Sequence, residues 1–166
     1  MIRRRCLPCL LLTLPMWTAL TGCLGSRPPS IEVGEAVLVE ETTEALRLDV
    51  ALDLANPNDE PLELLQFEYA FSIDGASVFR AKQSAEATLS ASGRKRLVLP
   101  AVVPLDGAPW PAGARPADAA WSIRGSLLYV APGALAEALL DTGVRKPRAG
   151  FGGSGRVPLQ GPEPAR

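Results

Sequence analysis

The chain has 166 residues, with 17 Lys and Arg set against 18 Asp and Glu, and it contains no histidine. Without an imidazole it lacks the commonest general base, every Ser-His triad and the usual zinc sites, so enzymatic activity is not expected. A formal net charge of −1 offers no electrostatic basis for nucleic-acid binding.

Arg3, Arg4 and Arg5 open the chain, and residues 6–20 form an apolar run interrupted by Pro8 and Pro15. This is the pattern of a secretory signal. At about 15 residues the run is short for a bilayer span, which takes roughly 20. Leu20-Thr21-Gly22-Cys23 follows directly. It resembles the cleavage box of a bacterial lipoprotein, which implies removal of residues 1–22, a lipid on the Cys23 thiol and an acylated new amino terminus. Leu24 stands where inner-membrane retention signals usually carry Asp, so the resemblance favours the periplasmic leaflet of the outer membrane. The alternatives are an ordinary signal cleaved near Gly22 and an uncleaved anchor.

Loss of residues 1–22 removes three arginines and no acid, leaving 14 basic against 18 acidic residues and a mature chain near −4. Cys6 and Cys9 leave with the signal and Cys23 is taken by lipid, so stability has to come from burial and not from a disulfide. The remaining chain, about 144 residues, is enough for one domain with a real core. Residues 23–30 read as a polar, Pro-containing tether, 31–160 as the folded domain and 161–166 as a fraying tail.

Residues 31–39 predict a weak first strand. Leu46, Leu48, Val50, Leu52 and Leu54 then alternate with polar residues at period two, which marks a half-buried strand. Asn56-Pro57-Asn58-Asp59 ends it, because proline cannot donate to a ladder and Asn and Asp bond their own backbone in turns. Leu65, Phe67, Tyr69, Phe71 and Ile73 form the next inward face. Asp74-Gly75 signals a hairpin into a strand over residues 76–82. After Gly93, Leu97, Leu99, Ala101 and Val103 face inward up to Pro104, and residues 106–119 read as a long loop or one helical turn. Trp121, Ile123, Gly125, Leu127 and Tyr129 alternate again. Ala134, Leu135, Ala138 and Leu139 recur at helical spacing and predict a short helix over residues 133–141. A weak last strand is expected over 155–159. About seven strands at this spacing predict a mainly β fold, an antiparallel β-sandwich of the fibronectin or immunoglobulin type with one short helix.

The alternating strand ending in Asn56-Pro57-Asn58, the aromatic strand closed by Asp74-Gly75, the leucine-rich strand ending in Pro104 and the Trp121-x-x-x-Gly125 strand resemble the type-two late-embryogenesis-abundant proteins. This family carries the water-stress and hypersensitive-response (WHy) domain. The resemblance runs from Ser30 to Leu159 and implies a β-sandwich with a short helix. It also implies a protective role in water stress, frequent lipidation among bacterial members, and no catalytic residues to carry across. Asn56, Pro57 and Asn58 are assigned a structural role. The Pro-rich segment 106–119 and the Gly-rich approach to the last strand depart from the family pattern.

Other patterns have plainer readings. Residues 150–155 match G-x-G-x-x-G by letter, but no strand-turn-helix surrounds them, so they read as a flexible link into the last strand. Ser92-Gly93-Arg94-Lys95 matches S-x-x-K on a hairpin loop, where no helical turn brings Lys to Ser. Arg94-Lys95-Arg96 and residues 145–148 are short basic clusters read as solvated loops, with contact to anionic headgroups or the sugar wall as the rival. A calcium site at the Asn56 turn is the minor reading there. The expected function is non-enzymatic and lipid-anchored through Cys23 in the cell envelope, without cofactor or metal, protecting its surroundings during desiccation. The alternative is an accessory lipoprotein that docks an envelope protein or holds an apolar ligand.

Overall fold

Alternating side chains give each strand one apolar face, and two such faces exclude water only by stacking sheet on sheet. The computed structural model, which describes residues 26–111, 114–132, 141–143 and 147–160, has this arrangement. Its strands are β1 Ser30–Glu41, β2 Ala45–Ala55, β3 Leu62–Ile73, β4 Ala76–Leu89, β5 Arg94–Pro104, β6 Asp118–Val130 and β7 Arg148–Pro158. One sheet has the order β1-β2-β5 and the other β4-β3-β6-β7, and every pairing is antiparallel.

The core lies between the two central strands of these sheets. Leu46, Leu48, Val50, Leu52 and Leu54 of β2 are fully buried and face Phe67, Tyr69, Phe71 and Ile73 of β3. Each such side chain contributes roughly 1.5–3 kcal/mol by leaving water. Trp121 stacks on Phe71 with centroids 6.1 Å apart, and Phe151 meets Phe67 edge-on at 6.0 Å. Tyr69 ties the layers together by donating from its hydroxyl to the Pro100 carbonyl on the opposite sheet at 2.6 Å. Burial, aided by the negative charge of Asp49, pushes its phenol up to about 12. Tyr69→Phe should therefore cost about 1 kcal/mol in urea unfolding. A change below a few tenths would mean that this hydroxyl is equally well served by water.

The Asp74-Gly75 hairpin forms as the dipeptide demands, with φ of 43° and 84°. Three features depart from the period-two reading. A register shift against β6 between Leu64 and Gln66 makes Leu65 the extra residue of a bulge, so Leu62 and Leu64 are the buried residues and Leu65 is not in the core. β4 runs on to Leu89 as an edge strand with a weakly alternating face. The glycine run at 150–155 is no flexible link, because it lies inside β7. Its inward positions include Gly153 and Gly155, and a Cβ on Gly153 would come within 2.5 Å of Val33 on β1. Absent side chains let β1 close over β7, and the same absence erases the hydrophobic alternation that would announce the strand.

The helix expected over 133–141 lies outside the described residues except for Asp141, as do the signal at 1–22, Cys23 and the tail at 161–166.

Candidate functional site

The end of β2 is closed by side-chain chemistry. Asn56 is the one polar residue buried among the described residues. Its Nδ2 donates to the carbonyls of Glu60 at 2.8 Å, Ser90 at 3.0 Å and Leu89 at 3.4 Å. Its Oδ1 accepts from the backbone N–H of Asn58 at 3.0 Å and from Asn58 Nδ2 at 2.8 Å. The Asn56 N–H reaches the Gly93 carbonyl at 2.9 Å, and Ser92 N–H reaches the Asn58 carbonyl at 2.7 Å. One amide thus binds the β2–β3 turn to the β4–β5 turn, and Pro57 sits between the two asparagines without needing a donor of its own.

Asn58 carries the connection outward. Its Oδ1 accepts from the Arg27 backbone N–H at 2.8 Å while its Nδ2 donates to the Arg27 carbonyl at 2.9 Å. This two-bond pairing imitates a short piece of β-ladder and holds the chain ahead of β1 against the corner. The corner has no vacant oxygen cluster for a cation, since Asn56 Oδ1 is already taken by Asn58. Among the described residues, no three His, Cys, Asp or Glu side chains come together to hold a metal.

A second feature lies where β1 approaches β7. A groove of about 720 Å³ is lined by Ala36, Leu38, Trp121, Gly155 and Pro158 among others. The indole Nε1 of Trp121, buried beneath Gly155, has no acceptor among the described residues.

The family model described as Late embryogenesis abundant protein matches residues 51–159, from mid-β2 to just beyond β7. The chain belongs to this family. A solution structure from Arabidopsis thaliana is similar at TM-score 0.60 and 15% identity, covering 89% of this chain and 92% of its own. A solution structure of a protein described as late embryogenesis abundant (LEA) gives TM-score 0.62 and 14% identity, covering 80% of this chain and 71% of its own. At such identities the likeness speaks for the fold alone. No curated protein matches the sequence.

In this late-embryogenesis-abundant domain the outer face of the four-stranded sheet carries a compact ion cluster. Glu68 on β3 accepts from Lys82 on β4 at 2.8 Å and from Arg148 on β7 at 2.8 Å, and Arg148 also reaches Ser126 Oγ at 3.1 Å. The hydrogen bonds from Arg148 and then Lys82 hold the Glu68 carboxyl down at about 2. The folded value lies below the ordinary 4.5, so any stability this cluster supplies is present above pH 4.5 and is lost as pH falls through 2. A carboxyl-carbon NMR titration should place the Glu68 midpoint near 2; a midpoint near 4.5 would show that the cluster does not persist in solution.

Sequence reading reached Asn56, Pro57 and Asn58 through their turn chemistry. It did not reach Arg27, whose contacts are made by backbone atoms and leave no trace in residue type. Nor did it reach Glu68, which reads as one more outward acid until β4 and β7 bring cations to it.

Proposed function

We propose that this protein is a non-enzymatic envelope protein, anchored through lipid on Cys23, that protects neighbouring components against water loss. The Leu20-Thr21-Gly22-Cys23 box supports the anchored reading, and the observation that sets the domain's placement is the pairing of Asn58 with Arg27, only four residues beyond Cys23. Four residues span at most about 14 Å. A lipid at Cys23 would therefore hold the Asn56 corner close to the bilayer, with the strands directed away from it. Family membership supports the protective role.

Two measurements test this. Cys23→Ala should abolish labelling by radioactive palmitate and release the protein from membranes; unchanged labelling would remove the anchor from the account. A deletion strain should survive drying worse than its parent while growing equally in rich medium. Equal survival would leave the protective reading without support.

A second reading is a binding lipoprotein, and one observation favours it. The groove beside Trp121 pairs apolar walls with an unaccepted N–H, which suits an apolar ligand with one acceptor atom. Crosslinking in cells would separate the two, since a single stoichiometric partner supports a binding role and scattered crosslinks support a protectant.

A further inference from the structure

The outer face of the four-stranded sheet has a charge pattern at odds with the rest of the chain. Rows of paired residues run across it. Arg80 on β4 and Arg124 on β6 both pair with Ala70 on β3, and Arg124 pairs in turn with Gly152 on β7. The neighbouring row is hydroxylic, because Ser72 pairs with Ser122 and Ser122 with Ser154. On the other side lies the Glu68 row, where the carboxylate is already engaged by Lys82 and Arg148.

Arg80 and Arg124 are exposed, and neither has an acidic partner among the described residues. Their strands are two pairing steps apart, so their roots lie about 10 Å from each other across a floor of Ala70. Among the described residues the other carboxylates of this face, Glu63, Glu86 and Asp118, sit toward the ends of β3, β4 and β6. Among the described residues the centre of the face therefore carries four cations and one carboxylate, in a chain with more acids than bases. An open depression of about 600 Å³ lies over it, lined by Glu68, Ala70, Arg80, Lys82, Arg124 and Ser126.

We propose that this face binds a polyanionic glycan, a sugar polymer bearing carboxylate or phosphate groups. The two unpaired guanidinium forks meet anionic groups at separated points, and the serine row supplies hydroxyls for sugar oxygens. The depression is broad and open, which suits a polymer lying across strands better than an enclosed small molecule. No aromatic side chain emerges among these outward rows to stack on bases, so single-stranded nucleic acid is a poor fit. The choice of a glycan over the bilayer rests on the anchored reading above. With the tether fixed at one end of the strands, the sheet face looks sideways and away from the membrane that holds Cys23.

The test uses the full-length chain in neutral detergent, with polygalacturonate as the glycan probe and glycerophosphoglycerol, the soluble headgroup of phosphatidylglycerol, and inorganic phosphate as comparison probes. Calorimetric titration should show salt-sensitive binding of polygalacturonate. The double variant Arg80→Ala/Arg124→Ala should weaken it at least tenfold, the equivalent of losing about 1.4 kcal/mol. Lysine at both positions should restore part of the affinity. The control double variant Arg47→Ala/Arg96→Ala removes the same charge from the other sheet, where both arginines are paired with Glu40 and Asp53, and should leave binding unchanged.

Absence of polygalacturonate binding overturns the proposal. So does an equal loss in the control, which would reduce the effect to net charge. Binding to the headgroup alone would assign the face to the bilayer, and binding to inorganic phosphate alone would reduce it to a site for a free anion; either overturns the glycan assignment. None of these outcomes depends on acylation of Cys23, so failure here is distinct from failure of the anchored reading.

Discussion

Replacing Asn56 by Ala should lower the free energy of unfolding by about 3 kcal/mol, a large share of the stability of a domain this size. The side chain is buried, and its removal leaves the Glu60 carbonyl without its donor and the Asn58 N–H without its acceptor, while the Ser90 carbonyl keeps only the Gly93 N–H. Each buried polar group stranded in this way costs roughly 1–3 kcal/mol, reduced where water can enter at the rim. Asn56→Asp should be no better, because the carboxylate keeps an acceptor for Asn58 but turns a negative oxygen toward the three carbonyls that Nδ2 now serves. Asn58→Ala should cost only about 1 kcal/mol, since its contacts with Arg27 are exposed. Urea unfolding of the three variants gives the comparison. An Asn56→Ala loss below 1 kcal/mol would show that the two turns hold together without this amide.

Gly125→Ala should be comparably damaging, at about 3 kcal/mol, although it adds only one carbon. A Cβ at this position would lie 2.6 Å from the Glu68 carbonyl oxygen, 2.6 Å from the Phe151 ring and 2.8 Å from the Tyr69 Cβ. The ring could turn aside, but the carbonyl belongs to the central strand β3 and is held by its pairing with both β4 and β6. Relief therefore requires β6 to move away from β3, which loosens the contact between Phe67 and Phe151 as well. Thermal unfolding should show a lowered midpoint, and near-ultraviolet circular dichroism should show weakened aromatic packing. A variant as stable as the parent would mean that β6 can shift at little cost.

These two positions show different degrees of legibility in the residues. Asn56-Pro57-Asn58 announces a turn because proline withholds a donor and asparagine serves its own backbone. The long reach of Asn56 to Leu89 and Ser90 does not follow, since it depends on which turn the fold sets beside it. Gly125 appears as a gap in an otherwise apolar alternation, and nothing local tells that Phe151 fills the gap from the next strand.

Sequence alone determined the sandwich architecture and the inward faces of β2, β5 and β6, because side-chain direction along a strand has a period of two and each inward residue must leave water. It also located the hairpin at Asp74-Gly75, where positive φ is needed at both positions. The phase of β3 on either side of Leu65, the extent of β7, the clamp on Arg27 and the cationic face around Arg80 and Arg124 were decided by the tertiary structure. A bulge moves one residue out of step, inward glycines carry no hydrophobic signal, backbone pairing has no residue code, and charges far apart in the chain become neighbours only through strand register.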